Sequence, residues 1–212
     1  MPDFGFTVIL PLYSLAAVLG LVAHRARVAR AIGRDPVVVR PFADADAPFR
    51  FLETALALGA IALLLDVVLN AVLPHTMREH FAIPVLRRSR VVGWCGLTAV
   101  SAGVLVSGAA VIDMATAWRV GIDRENPGAL VSSGLFRYIR HPIYAGMLLM
   151  TAGMAAATAD VLSIAVAAGS WIGIPLQARL EEEFLISIHG VEYEKYRATS
   201  GRFWPRRPNR RS

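Results

Sequence analysis

Five apolar runs, separated by stretches rich in arginine, set the pattern of this chain. Residues 5–23, GFTVILPLYSLAAVLGLVA, carry no charge and are long enough to cross roughly 30 Å of hydrocarbon as a helix. A second run covers residues 51–73, with Glu53 at its mouth and Asp66 and Asn70 well inside, and a third covers residues 91–112 without a charged residue. Two shorter runs, 143–160 and 161–178, meet near Thr158 and Asp160, which predicts a helical hairpin. The pattern predicts an all-α integral membrane bundle of five transmembrane helices. Residues 1–112 would hold three of them, and residues 113–212 a polar segment, the hairpin and a C-terminal helical arm.

Composition agrees with the runs. Hydrophobic residues make up 55% of the chain and the mean hydropathy is +0.50, above the roughly 45–50% apolar content of soluble domains. The single cysteine, Cys95, excludes an intrachain disulfide and sits in an apolar run as a small hydrophobe. The basic residues are arginines apart from Lys195, a bias that suggests a GC-rich bacterial genome. The net charge of +6 does not point to nucleic acid, because the arginines are scattered among the loops between apolar runs. Their distribution sets an orientation instead. Only Asp3 precedes the first run, so it lacks the positive segment of a signal peptide and reads as a retained span. With the N-terminus outside, segments 24–50, 113–142 and 179–212 hold six, four and eight basic residues, against four in the outer loop 74–90. The expected location is a bacterial inner membrane with the C-terminus in the cytoplasm. Small residues recur every four positions at Ala99, Gly103 and Ser107 and again at Ala165, Gly169 and Gly173, stripes that let helices approach closely in lipid. They read as packing within one bundle and leave the oligomeric state open.

The densest polar chemistry lies in residues 130–146, LVSSGLFRYIRHPIYAG. Proline disfavours the helical region for the residue before it and suits the first turn of a helix, so a helix should begin at Pro142 with His141 at its cap and Tyr144 about one turn in. A helix N-terminus flanked by Arg137 and Arg140 would attract a carboxylate or phosphate. Gly134 offers a turn, and Gly146 leaves room for something to lie against the helix. Arginines and tyrosines are also common interfacial anchors, so this segment alone does not establish a site. A second cluster, Arg179, Glu181, Glu182 and Glu183, follows the last apolar run. Adjacent carboxylates near lipid need compensation. Arg179 can pair with Glu183 at i,i+4, and Glu182 shares a face with Leu185 and Ile186, pointing inwards where a cation would be welcome. A solvated acidic collar is the alternative.

The two clusters together resemble a known family. The pattern LV-x-x-G-x-(F/Y)-x-x-x-RHP-x-Y-x-G, then R-L-EE-x-x-L-x-x-x-x-G-x-x-Y-x-x-Y, is similar to that of the isoprenylcysteine carboxyl methyltransferases, whose wider group includes membrane phospholipid methyltransferases. The matching residues are Leu130, Val131, Gly134, Arg140, His141, Pro142, Tyr144 and Gly146, then Arg179, Glu181, Glu182, Leu185, Gly190, Tyr193 and Tyr196. The resemblance covers residues 118–205 and ends near Arg202, Phe203, Trp204 and Pro205. It implies an integral membrane enzyme that uses S-adenosylmethionine without a dinucleotide-binding domain, in keeping with the absence of a strand–GxGxxG–helix unit. It also implies roles: backbone around Leu130 and Val131 for the adenine, His141 and Tyr144 for the methionine portion, and Arg140 near its carboxylate. Gly146 would be part of the same site. Glu182, with Glu181, would meet the ammonium or the sulfonium end. Relatives often carry a histidine just before the LV pair. Here Gly128 and Ala129 stand there, so that contact is either missing or supplied by Asn126.

The sulfonium already activates the methyl group, so the protein has to align the reactants and keep water out. A carboxylate acceptor needs a holding cation, for which Arg179 and, second, Arg119 are candidates. An amine acceptor needs proton removal, in which a glutamate of 181–183 could assist. A lipidic acceptor would enter sideways while the cofactor enters from the cytosol. The expected activity is methyl transfer to such an acceptor, with the carboxylate of an isoprenylcysteine-like molecule first and a phospholipid amine second. Rivals are an NADPH-dependent membrane enzyme like the sterol reductases and a non-enzymatic membrane scaffold. Asp66 and Asn70 read as a structural hydrogen-bonded pair. His75 and His80 flank Glu79 without the HExxH spacing, so no metal is expected. The tail RFWPRRPNRRS either anchors to anionic membrane lipid or is a solvated terminus.

Overall fold

A computed structural model describes residues 4–33, 47–84, 89–114 and 129–206. Its helices are α1 (Phe4–Ile32), α2 (Ala47–Val72), α3 (Pro74–His80), α4 (Arg90–Met114), α5 (Pro142–Thr158), α6 (Val161–His189) and α7 (Val191–Thr199), with a 3₁₀ turn at Gly134–Arg137. The described residues form no strand longer than an isolated bridge.

Among the described residues, four helices are long and apolar enough to cross a membrane: α1 over Ile9–Ile32, α2 over Phe51–Val72, α4 and α6. The five expected crossings therefore appear as four plus the apolar but shorter α5, whose 17 residues reach only about 25 Å at ~1.5 Å per residue. α1 and α6 also overrun their expected ends at 23 and 178, since nothing in the following arginine- or glutamate-bearing turns breaks a helix. α6 runs unbroken to His189 and stops where Gly190 takes φ 50°. The cluster Arg179–Glu183 thus lies on α6 itself.

Outward faces are apolar, with Leu15, Leu19, Leu58, Ile61, Leu105, Trp171 and Ile172 all exposed, as lipid-facing surfaces require. The interior core gathers Leu10, Val67, Leu97, Val100 and Met154. α4 and α5 pack antiparallel through glycines: a Cβ built on Gly153 would sit 2.6 Å from the Gly96 carbonyl oxygen, and one on Gly146 would sit 2.6 Å from that of Gly103. Such contact is possible only without side chains. Of the two small-residue stripes, the first is real at Gly103 and Ser107, and Ser107 donates to the Ile143 carbonyl at 3.2 Å. In the second, Gly173 packs against Leu52 and Leu56 of α2, whereas Gly169 has open space beside it.

The α5–α6 turn is made by Ala159 in the left-handed region at φ 51° and by Asp160, whose side chain accepts from the Ser163 amide. Segment 81–83 clamps it, with Ile83 N–H donating to Ala159 at 2.8 Å and Val161 N–H to Phe81 at 3.0 Å. Asn70 donates to the Asp66 carboxylate at 3.1 Å and reaches Asp160 at 3.5 Å. The expected Asp66–Asn70 pair is therefore a hydrogen-bonded support of that turn. The other end of the bundle collects the start of α5, the C-terminal half of α6 and α7.

Candidate active site

The local sequence accounts for the placement of His141. Pro142 is the first residue of α5 and His141 its cap, at φ −124° and ψ 63°, outside the helical region as a residue before proline should be. Gly134 takes φ 57° to open the 3₁₀ turn, and the Leu135 amide donates to Asp113 at 2.7 Å, tying the segment to the end of α4. The chain returning from α7 then lies alongside. Gly201 N–H donates to Tyr138 at 3.0 Å, Arg140 N–H to Gly201 at 2.8 Å and His141 N–H to Arg202 at 3.0 Å.

Glu182 joins these pieces. Its side chain is 4% exposed and accepts from Arg140 Nε at 2.9 Å and from Arg202 at 3.1 and 2.7 Å. Both oxygens of the carboxylate are engaged by guanidiniums, an arrangement of charge-assisted bonds suited to its ionised form. Arg140 also donates to the Ser200 carbonyl at 2.5 Å, which pins the arm. The Glu182 hydrogen bond raises the Arg202 guanidinium above its ordinary value. Tyr196 holds the arm from beneath by donating to the Phe136 carbonyl at 2.7 Å. Tyr193 is fully buried against it, and burial pushes its hydroxyl upwards.

His141 faces both glutamates, with Nδ1 3.5 Å from Glu181 and Nε2 3.3 Å from Glu182. The Nε2 atom is close to Glu182 but not aligned for a hydrogen bond, and it has no hydrogen-bond partner among the described residues. Burial pulls the imidazole down, yet the two carboxylates of Glu181 and Glu182 beside it outweigh that and hold His141 above its ordinary 6.5. Tyr144 stacks on His141 with ring centroids 5.6 Å apart and donates to Glu181. Phe203 closes the other side at 6.1 Å. Glu181 is the more accessible carboxylate, with 28% of its side chain exposed.

The structure thus brings Arg140, His141, Tyr144, Glu181 and Glu182 together and leaves other candidates aside. Arg179 is 71% exposed and paired with Glu183 at 3.0 Å, on a different face of α6 from buried Glu182. Gly146 is buried against α4, so the room its missing side chain leaves is filled by Gly103 and Ser107. Leu130 and Val131 are half-buried in the irregular segment leading to the 3₁₀ turn. Arg119, Asn126 and Gly128 lie outside the described residues. Arg202 is the member that the sequence motifs did not single out. Its only signal was its place at the end of the region of resemblance.

The model of the phospholipid methyltransferase family (PEMT) matches residues 91–192, which contain most of this cluster. A probable protein-S-isoprenylcysteine O-methyltransferase of Oryza sativa subsp. indica is 30% identical over 129 residues, covering 59% of this chain and 67% of the relative. The chain belongs to this family of membrane methyltransferases. Protein-S-isoprenylcysteine O-methyltransferase A of Arabidopsis thaliana is 28% identical over 140 residues, 65% of this chain and 68% of the relative. The solved structure of a eukaryotic intramembrane Ras methyltransferase, an isoprenylcysteine carboxyl methyltransferase, superposes with a TM-score of 0.54 at 18% identity. That match covers 97% of this chain and 78% of the other, and it establishes a shared all-helical fold. As a membrane methyltransferase of this family, the protein is an integral multi-pass protein, and its family implies S-adenosylmethionine as methyl donor.

Proposed function

We propose that the protein transfers a methyl group from S-adenosylmethionine to a lipid-borne acceptor, at the end of the bundle where the motif segment, α6 and the C-terminal arm meet. The observation that carries this reading is the convergence of His141, Tyr144 and Glu181 around a half-open edge, backed by the Arg140–Glu182–Arg202 clasp. The residues fit such a cofactor. The buried His141 Nε2, 3.3 Å from Glu182, makes no aligned hydrogen bond among the described residues, and Glu181 keeps exposed carboxylate surface for an ammonium. Bound there, the cofactor supplies a methyl group already activated by positive sulfur. Glu181 would orient its charged end, and Arg140 its carboxylate. Glu182 acts chiefly by fixing Arg140 and Arg202, and Leu130 and Val131 would lie along the adenine. Phe203 and the arm exclude water from one side.

The reading extends to the membrane. α5 would complete a fifth crossing with help from the polar turns at its ends, placing the N-terminus outside and the site in the cytoplasm of a bacterial inner membrane. A soluble cofactor then enters from water and the acceptor from between helices. The names of the plant relatives suggest an isoprenylcysteine-type carboxylate. A phospholipid amine is the second reading, favoured by the acidic and amide side chains beside Tyr144. The test is transfer of labelled methyl from S-adenosylmethionine into a membrane lipid extract by purified protein. Label in the organic phase is expected with wild type and lost with Glu181→Gln; equal labelling by both contradicts the site.

A further inference from the structure

One buried polar group is used by neither the clasp nor the cofactor edge. Gln177 is 2% exposed, one helical turn deeper on α6 than Glu181, and its Oε1 has no hydrogen-bond partner among the described residues. Leaving such a buried acceptor without a bond is costly, which points to a donor supplied by a ligand. Its side chain lies near the Tyr144 hydroxyl, which bonds to Glu181.

Across from it stands α2. Gly59 faces Val166, and Gly173 faces Leu52 and Leu56. The two helices therefore run antiparallel, and Glu53 falls opposite residues 172–176, within about a turn of Gln177. Glu53 is half-buried and lies near Glu181 and Tyr144. Beyond Tyr144, on the hydrocarbon side, the side chains are thus two acceptors, an anion and an amide oxygen, close to a second anion. Among the described residues, Arg140 is committed to Glu182 and the cofactor's carboxylate, Arg202 is bound to Glu182, and Arg179 faces away. A carboxylate head placed here would meet repulsion, whereas an ammonium would meet donor-seeking oxygens. Glu53 also lies outside residues 91–192, the span of the family match.

We propose that Glu53 and Gln177 form the head-group subsite for the methyl acceptor and select a lipid amine over a carboxylate. This rests on the methyl-transfer reading above. The ammonium gives one proton to Glu53, and the freed nitrogen lone pair forms the new N–C bond. The methyl's bond to sulfur breaks with its electron pair left on sulfur, so the positive charge passes to nitrogen.

The same ammonium chemistry could come from the cofactor's own amine, and the test separates the two. The full chain in phosphatidylcholine nanodiscs, saturated with S-adenosylhomocysteine, is titrated with decylamine and with decanoate, each corrected for binding to empty nanodiscs. Decylamine is expected to bind at least about tenfold more tightly than decanoate, and Glu53→Gln or the near-isosteric Gln177→Leu to weaken it about tenfold. S-adenosylhomocysteine affinity is expected to stay within about twofold in Glu53→Gln. Tighter decanoate, or amine affinity unchanged in both variants, overturns the subsite. A tenfold loss of S-adenosylhomocysteine affinity in Glu53→Gln assigns the residue to the cofactor and also overturns it. Failure of wild type to bind S-adenosylhomocysteine defeats the underlying methyl-transfer reading and the subsite with it.

Discussion

The first helix and the C-terminal arm are held in opposite ways. α1 is largely exposed, its Leu12, Leu15, Leu19 and Val22 turned outward and its main inward anchors Leu10 and Val28. Tyr13, accepting from Ser101 at 3.1 Å, is a side-chain hydrogen bond between α1 and α4. The arm buries few large apolar residues. It is fixed by Tyr193 and by charge-assisted bonds from Arg140 and Arg202 to one carboxylate. In lipid, apolar surface supplies little drive for association, so α1 tolerates change, whereas the arm depends on a few irreplaceable polar groups.

The largest effect should come from the centre of that clasp. Glu182→Gln leaves two guanidiniums facing a neutral amide. Breaking a buried pair costs about 3–5 kcal/mol, and the lower end applies here because Arg202 is partly solvated. A lower thermal midpoint and faster proteolysis near residues 200–206 are expected; a wild-type profile would sink the clasp. Next is the helix seam. In Gly153→Ala the new Cβ meets backbone atoms Gly96 O at 2.6 Å and Val100 N at 2.7 Å. Overpacking of this kind costs about 1–3 kcal/mol, which should appear as a reduced melting temperature in detergent.

A smaller effect is tied to pH. His141 is held above its ordinary 6.5 by the two glutamates. Its folded value exceeds its unfolded one, so its ionic contribution is fully present below about pH 6.5 and lost as pH rises through the raised value. The difference in melting temperature between wild type and His141→Gln should therefore shrink with increasing pH. A gap that is constant between about pH 5.5 and 9 contradicts this. Least of all, Leu15→Ala on the outward face of α1 should change stability by no more than about 0.5 kcal/mol. A large loss there would mean that α1 is anchored far more firmly than its exposure indicates.

The same contrast explains what could be read from the chain. The cap at His141, the start at Pro142 and the hairpin turn at Asp160 follow from local rules about proline and polar caps. The meeting of His141 with Glu182 was legible through two spaced motifs. The role of Arg202 was not, because it depends on the arm returning beside Ile139 as a single parallel bridge, a long-range event with no local period. That α4 fills the space beside Gly146 was not legible, because a small residue on a helix looks the same whether it faces a ligand or another helix. Gln177 passed as part of an apolar run, since only the register of α2 against α6 brings Glu53 within about a turn of it.

The central claim is that cofactor binding resides at the edge formed by His141, Tyr144 and Glu181. Calorimetric titration with S-adenosylhomocysteine tests it, using wild type, His141→Ala, Glu181→Gln and the α1 control Leu15→Ala. One-to-one binding is expected for wild type and control, with at least about a tenfold loss in each of the other two. Equal affinity in all four proteins, or no binding by wild type, would contradict it.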